Sequence, residues 1–140
     1  MPKTVNLSQA SRLRELDLSA PDGFVNTNLS SISLENNTLL EKLTIKNCPG
    51  SGNGTGTLEL DNLISLQELN TIGSGFTEIS IAGNAPLKIL KLNPITTLYL
   101  HDLYDLTEFN IENYNKLKNL YINNIDNNII NSYNIIKQAD

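Results

Sequence analysis

The sequence predicts a mainly β fold. The chain is expected to coil as a solenoid, one short strand above another, with two short parallel sheets facing each other. Three observations predict it. The first is a phrase that dominates Phe76 to Ile125: an apolar residue, two others, an apolar residue, one other, an apolar residue. It reads FTEISIAGNAP, LKILKLNP, ITTLYLHDLYD, LTEFNIENYNK and LKNLYINNI, and returns about every eight to eleven residues, the signature of a repeat. The second is period two. Leu90 and Leu92, Leu98 and Leu100, Phe109 and Ile111, and Leu120 and Ile122 are each two apart, which puts both side chains on one face of an extended chain. The third is what lies between the phrases. These stretches are too short for a crossover helix, and they carry Asn, Gly, Asp and Pro, which suit turns.

Taken in order, the phrases begin at Leu13, Leu29, Leu40, Thr55, Leu66, Phe76, Leu87, Ile95, Leu106 and Leu117. The fourth is degenerate, with Thr55 in first place and Leu58 and Leu60 behind it, and it follows a glycine-rich stretch, Pro49 to Gly56. Single spacings are irregular; alternate ones are not. Leu13, Leu40, Leu66, Leu87 and Leu106 are 27, 26, 21 and 19 apart, and the intervening set steps by 26, 21, 19 and 22. One coil therefore holds two strands. Odd phrases are expected to stack into one sheet and even phrases into the other, with Leu98 against Leu120 and Ile79, and Leu90 against Leu69 and Phe109. The predicted core is Leu43, Ile45, Leu58, Leu60, Leu69, Ile79, Ile81, Leu90, Leu92, Leu98, Leu100, Phe109, Ile111, Leu120 and Ile122.

The phrase has the form LxxLxLxxN at Leu29, Ile32, Leu34 and Asn37, and again at Phe76, Ile79, Ile81 and Asn84. In this it resembles the leucine-rich repeat family. The second short strand, where most such proteins place a helix, is similar to bacterial surface repeats of the internalin and BspA-like kind and to repeats of gut-bacteriophage virion proteins. The resemblance covers about residues 7–125. It implies a leucine-rich-repeat-type solenoid and favours a cell-surface, extracellular or virion setting. Cys48, Leu63, Ser74, Leu103, Tyr114 and Ile125 replace the family's Asn, so a continuous asparagine ladder is not expected in the C-terminal half.

The solenoid is read as residues 1–125, and residues 126–140 as a C-terminal cap or tail. NNIINSYNIIKQAD spaces Ile129, Ile130, Tyr133 and Ile136 for a short helix. An irregular tail over the last coil, an eleventh strand, or a segment ordered by a neighbouring chain are the alternatives. Only Val5 and Leu7 lie before the first phrase as apolar cover. The expectation is a self-capped C-terminus and an N-terminal edge completed by a neighbour.

A formal charge of −5 over 140 residues opposes nucleic acid and anionic membrane surfaces as partners. No apolar run approaches the roughly 20 residues of a membrane span, and no secretion signal opens the chain. A single cysteine, Cys48, allows no internal disulfide or cysteine metal cluster and is read as a buried thiol. The glycine-rich stretch lacks the Lys-Ser/Thr and helix that a phosphate loop needs. His101, the one histidine, has Asp102 beside it in sequence, but strand neighbours point to opposite faces. The acidic residues match no calcium-loop spacing. No catalytic centre, metal or cofactor is expected.

One pattern does suggest a site. The outward residues of the even phrases are Ser33, Glu59, Ser80, Tyr99 and Tyr121, followed by Glu35, Asp61, Ala82, His101 and Asn123. Tyr99 and Tyr121 should lie side by side, with His101 and Asn123 next to them. Exposed Tyr offers contact area at little entropic cost; a stabilising cross-strand pair is the simpler reading. The function expected is a non-catalytic structural or protein-binding module within a larger assembly, binding a protein or neighbouring subunit. A carbohydrate-binding surface is the alternative.

Overall fold

The computed structural model describes residues 3–25, 29–49, 56–81, 85–111, 116–123 and 125. The fold is mainly β, with parallel sheets. The strands are β1 (Lys3–Asn6), β2 (Glu15–Asp17), β3 (Leu29–Ser33), β4 (Lys42–Thr44), β5 (Thr57–Leu60), β6 (Glu68–Asn70), β7 (Glu78–Ile81), β8 (Ile89–Leu92), β9 (Thr97–His101), β10 (Glu108–Ile111) and β11 (Asn119–Asn123). The expected C-terminal cap, its helix and the boundary after residue 125 lie outside the described residues, as do Asn84, Tyr114 and residues 50–55.

Alternate strands pair. One sheet has the order β10-β8-β6-β4-β2, and a second has β11-β9-β7-β5. Leu98 stands opposite Ile79 and Leu120, and Leu90 opposite Leu69 and Phe109, as the phrases predict. The register follows from period two: a slip of one residue would turn every Leu and Ile outward.

Apolar side chains of both sheets join in one buried cluster. Of the predicted core, all but two residues are fully buried. Leu120, on the edge strand β11, is only half-buried, because no described strand covers its other side; the side chain of Ile122 lies outside the described set. The corners from odd- to even-numbered strands are built from successive tight turns. Ala10 N donates to Leu7 O and Leu13 N to Ala10 O; the same steps recur at Leu34, Asn37 and Leu40 and at Leu60, Leu63 and Leu66.

Two expectations need correction. The chain does not enter its sheets at Leu13: β1 precedes that phrase, and Val5 and Leu7 are already packed against the core. The second phrase does not join the even sheet. β3 pairs with β1 in a separate two-stranded sheet, Val5 opposite Ile32 and Asn6 opposite Ser33, and among the described residues no ladder joins β3 to β5.

Connector length supplies the reason. Connectors from odd- to even-numbered strands are uniform: residues 7–14, 34–41, 61–67, 82–88 and 102–107. Connectors from even- to odd-numbered strands are not. Residues 71–77, 93–96 and 112–118 are short, whereas 18–28 and 45–56 are eleven and twelve residues long. Those two long links lead into β3 and β5. A short link holds the next strand at the height of its neighbour, and a long one leaves that height free.

Asparagines stitch the corners. Asn37 Nδ2 donates to Leu7 O at 3.1 Å and Ala10 O at 2.8 Å. Asn62 Nδ2 donates to Leu34 O at 2.8 Å, so the corner stays closed where the strands above it part. Asn93, buried, donates to Phe76 O and accepts from Thr71 and Ser74 hydroxyls at 2.8 Å each. Cys48 and Ser74 thus stand in for asparagine as donors, the thiol bonding Leu18 O at 3.2 Å, while Leu63 and Leu103 fill the same position with buried side chains.

Candidate functional site

The outward face of β5, β7, β9 and β11 carries the predicted site. Register places Glu59, Ser80, Tyr99 and Tyr121 in one row across the sheet. Inward neighbours Leu98 and Leu100 are buried; alternation along β9 therefore holds Tyr99 and His101 outward. The Tyr99 and Tyr121 rings stack, with centroids 4.6 Å apart and planes 6° from parallel. Spacing between neighbouring strands, about 4.8 Å, sets that separation. Tyr121 remains 53% exposed. Withdrawal of the Tyr99 phenol from solvent, then the Glu78 carboxylate and Tyr121, push its pKa above the ordinary value.

All four predicted residues come together. His101 stands opposite Asn123, next to the tyrosine row. Asn119 Nδ2, on the far side of Tyr121 along the strand, reaches Thr97 Oγ1 at 3.3 Å.

Asp102 departs from expectation. It does not face away from His101; its carboxylate Oδ2 lies 3.5 Å from His101 Nδ1. The strand ends at His101, and Asp102 takes φ 55°, a left-handed conformation that Asp tolerates better than most residues. That twist swings the carboxylate back to the imidazole. Tyr104 Oη donates to Asp102 Oδ1 at 3.1 Å, and Tyr104 is itself 68% exposed. Sequence reasoning turned Asp102 away from His101 and missed Tyr104, because neither sits on the strand. The grouping can hold and orient an imidazole beside an aromatic surface.

No protein family, curated protein or solved structure matches the chain.

The remaining candidates lie apart from this face. Cys48 is fully buried beyond β4, and burial pushes its thiol pKa up. Across the other sheet the corresponding row is Asp17, Thr44, Asn70, Lys91 and Asn110. Ion pairs hold its surface, Lys91 with Glu108 at 2.9 Å and Lys42 with Glu68 at 3.6 Å, and Arg14 pairs with Glu41 beside it. Among the described residues no group of three or more His, Cys, Asp or Glu is placed to hold a metal ion, and no helix is long and apolar enough to cross a membrane.

Proposed function

We propose that the chain is a leucine-rich-repeat-type solenoid acting as a non-catalytic protein-binding module, one component of a larger cell-surface or virion assembly. Its contact surface is the face around Tyr99, Tyr121, His101 and Asn123. One observation carries this reading: two aromatic rings stacked on rigid, in-register strands, the outer one more than half exposed. Large amphipathic rings held at low entropic cost are what binding surfaces use as anchors. The opposite sheet carries ion pairs such as Lys91 with Glu108, and among the described residues it presents no stacked aromatic pair.

A glycan is the second reading. A flat aromatic ring flanked by the amides of Asn119 and Asn123 suits the apolar face and hydroxyls of a sugar. Two experiments separate the readings. Tyr99→Ser/Tyr121→Ser and wild-type protein are used as bait in an extract of the source, and both are applied to a glycan array. Protein binding predicts a specific protein retained by wild type, lost with the variant, and a blank array. Array signal abolished by the substitution decides for the glycan. Retention of every partner by the variant, with a blank array, removes this face from the function.

A further inference from the structure

The break between β3 and β5 opens a cleft of about 660 Å³. One wall is Ile32, Ser33 and Leu34; the other is Leu58 and Glu59. Its volume falls within the range of clefts that hold ligands, roughly 300–1,000 Å³. At its downstream end the bond from Asn62 Nδ2 to Leu34 O closes it like a hinge.

Two features show that the opening reaches the core. Ile32 occupies the inward position that Leu58, Ile79 and Leu98 occupy in the later phrases; those three are buried, whereas Ile32 is only half-buried. And β3 and β5 are each paired on the far side, and among the described residues no ladder joins them. Such strand edges template an added strand.

The chemistry of the rim selects the occupant. Glu35, Glu59 and Asp61 line the cleft, and among the described residues no Lys, Arg or His does. Asp61 is held in place by Ser80 Oγ at 2.8 Å. Inward positions are apolar and outward positions acidic, so an entering strand would meet the two kinds of wall in alternation.

We propose that this cleft receives an extended peptide segment of another protein, with apolar and basic residues in alternation, by strand addition between β3 and β5. Its apolar residue covers Ile32 and its basic residues meet Glu35, Glu59 and Asp61. The inference does not depend on the tyrosine face.

The test uses a fluorescent, end-blocked hexapeptide of alternating Val and Lys, titrated into the full chain by anisotropy. Hydrogen exchange at the Ile32, Ser33, Leu58 and Glu59 amides locates the site. Saturable binding is expected, with slower exchange at those amides and weakening as salt rises. Glu35→Gln/Glu59→Gln/Asp61→Asn should weaken it at least about tenfold, since these are the charges lining the cleft among the described residues. The same peptide N-methylated at its valines keeps charge and side chains but loses the donors of one edge, and should not bind. Absence of binding overturns the proposal. So does equal binding of the N-methylated peptide, which would reduce the effect to surface charge. Protection confined to β2, β10 or β11, or protection of β3 and β5 by self-association without peptide, also overturns it.

Discussion

The two larger sheets share one phrase and one core, yet one runs unbroken from β2 to β10 and the other begins only at β5. Their strands are equally apolar inward, so strand sequence does not account for the difference. The links do. Every strand of the unbroken sheet is entered through a connector of six to eight residues, whereas β3 and β5 are entered through eleven and twelve. Repeat packing is thus specified twice over, by a side-chain pattern that fixes which face turns inward and by a link that fixes which neighbour is met.

The largest expected effect contrasts the closed and open regions at one inward position. Leu98→Ala, between Ile79 and Leu120, should cost about 2–5 kcal/mol in urea unfolding. Ile32→Ala, at the break, should cost less than half as much, because its side chain is already partly in water. Equal costs would mean that the cleft is closed in solution.

Next come two glycines, one in a long link and one in a short. Both have positive φ, 83° at Gly23 and 76° at Gly73. A Cβ at Gly23 would meet nothing, while one at Gly73 would lie 3.1 Å from Asn47 N and Oδ1. Gly23→Ala should cost about 1 kcal/mol of backbone strain, and Gly73→Ala about 1–3 kcal/mol, by calorimetry. A Gly23 penalty as large as that of Gly73 would show the long link to be as tightly packed as the short one.

Smaller still is the coupling between Tyr99 and Tyr121. In a double-mutant cycle with Ala, the double loss should fall short of the sum of the single losses by about 0.5–1.5 kcal/mol. No coupling would leave the pair as a surface held for binding alone.

The smallest effect lies on the unbroken sheet. The Asp17 carboxylate accepts from Ser19, whose side-chain and backbone hydrogen bonds hold its pKa below the ordinary 3.8. A lowered carboxylate pKa adds stability above the unfolded value, and that stability is lost as pH falls through the folded one. Asp17→Asn should therefore separate from wild type near neutrality and converge with it in acid unfolding below that window. Solvent screening at this exposed site keeps the gap slight.

Much of this was legible in the residues. Leu and Ile at period two, with alternate phrases evenly spaced, were enough to pair Leu98 with Ile79 and Leu120 and to bring Tyr99 beside Tyr121. β1 was hidden because Val5 and Leu7 have no apolar residue three positions earlier to complete the phrase. The break was hidden because Leu29, Ile32 and Leu34 look like every other phrase; the signal lay in the eleven and twelve residues before β3 and β5. Asn93 escaped notice since it sits six residues after Leu87, not eight residues after it, where the motif puts its asparagine. Asp102 was misplaced by strand alternation, which does not extend to a residue at positive φ beyond the strand's end.

The interrupted ladder also has a mechanical meaning. Elsewhere between β5 and β10, a pull separating successive strands of one sheet is shared with the sheet opposite. Between the strands up to β4 and those from β5 onward, the ladder lies in one sheet alone. Among the described residues the load is carried by the three-residue ladder of β4 with β6, the backbone bonds from Gln67 and Glu68 to Glu41, from Ile45 to Asn70 and from Asn47 to Ile72, the Lys42–Glu68 ion pair, and the amide of Asn62. Bonds so few, loaded in parallel, make a seam. Under tension the molecule would tear there first, releasing its N-terminal strands while the tyrosine face stayed intact.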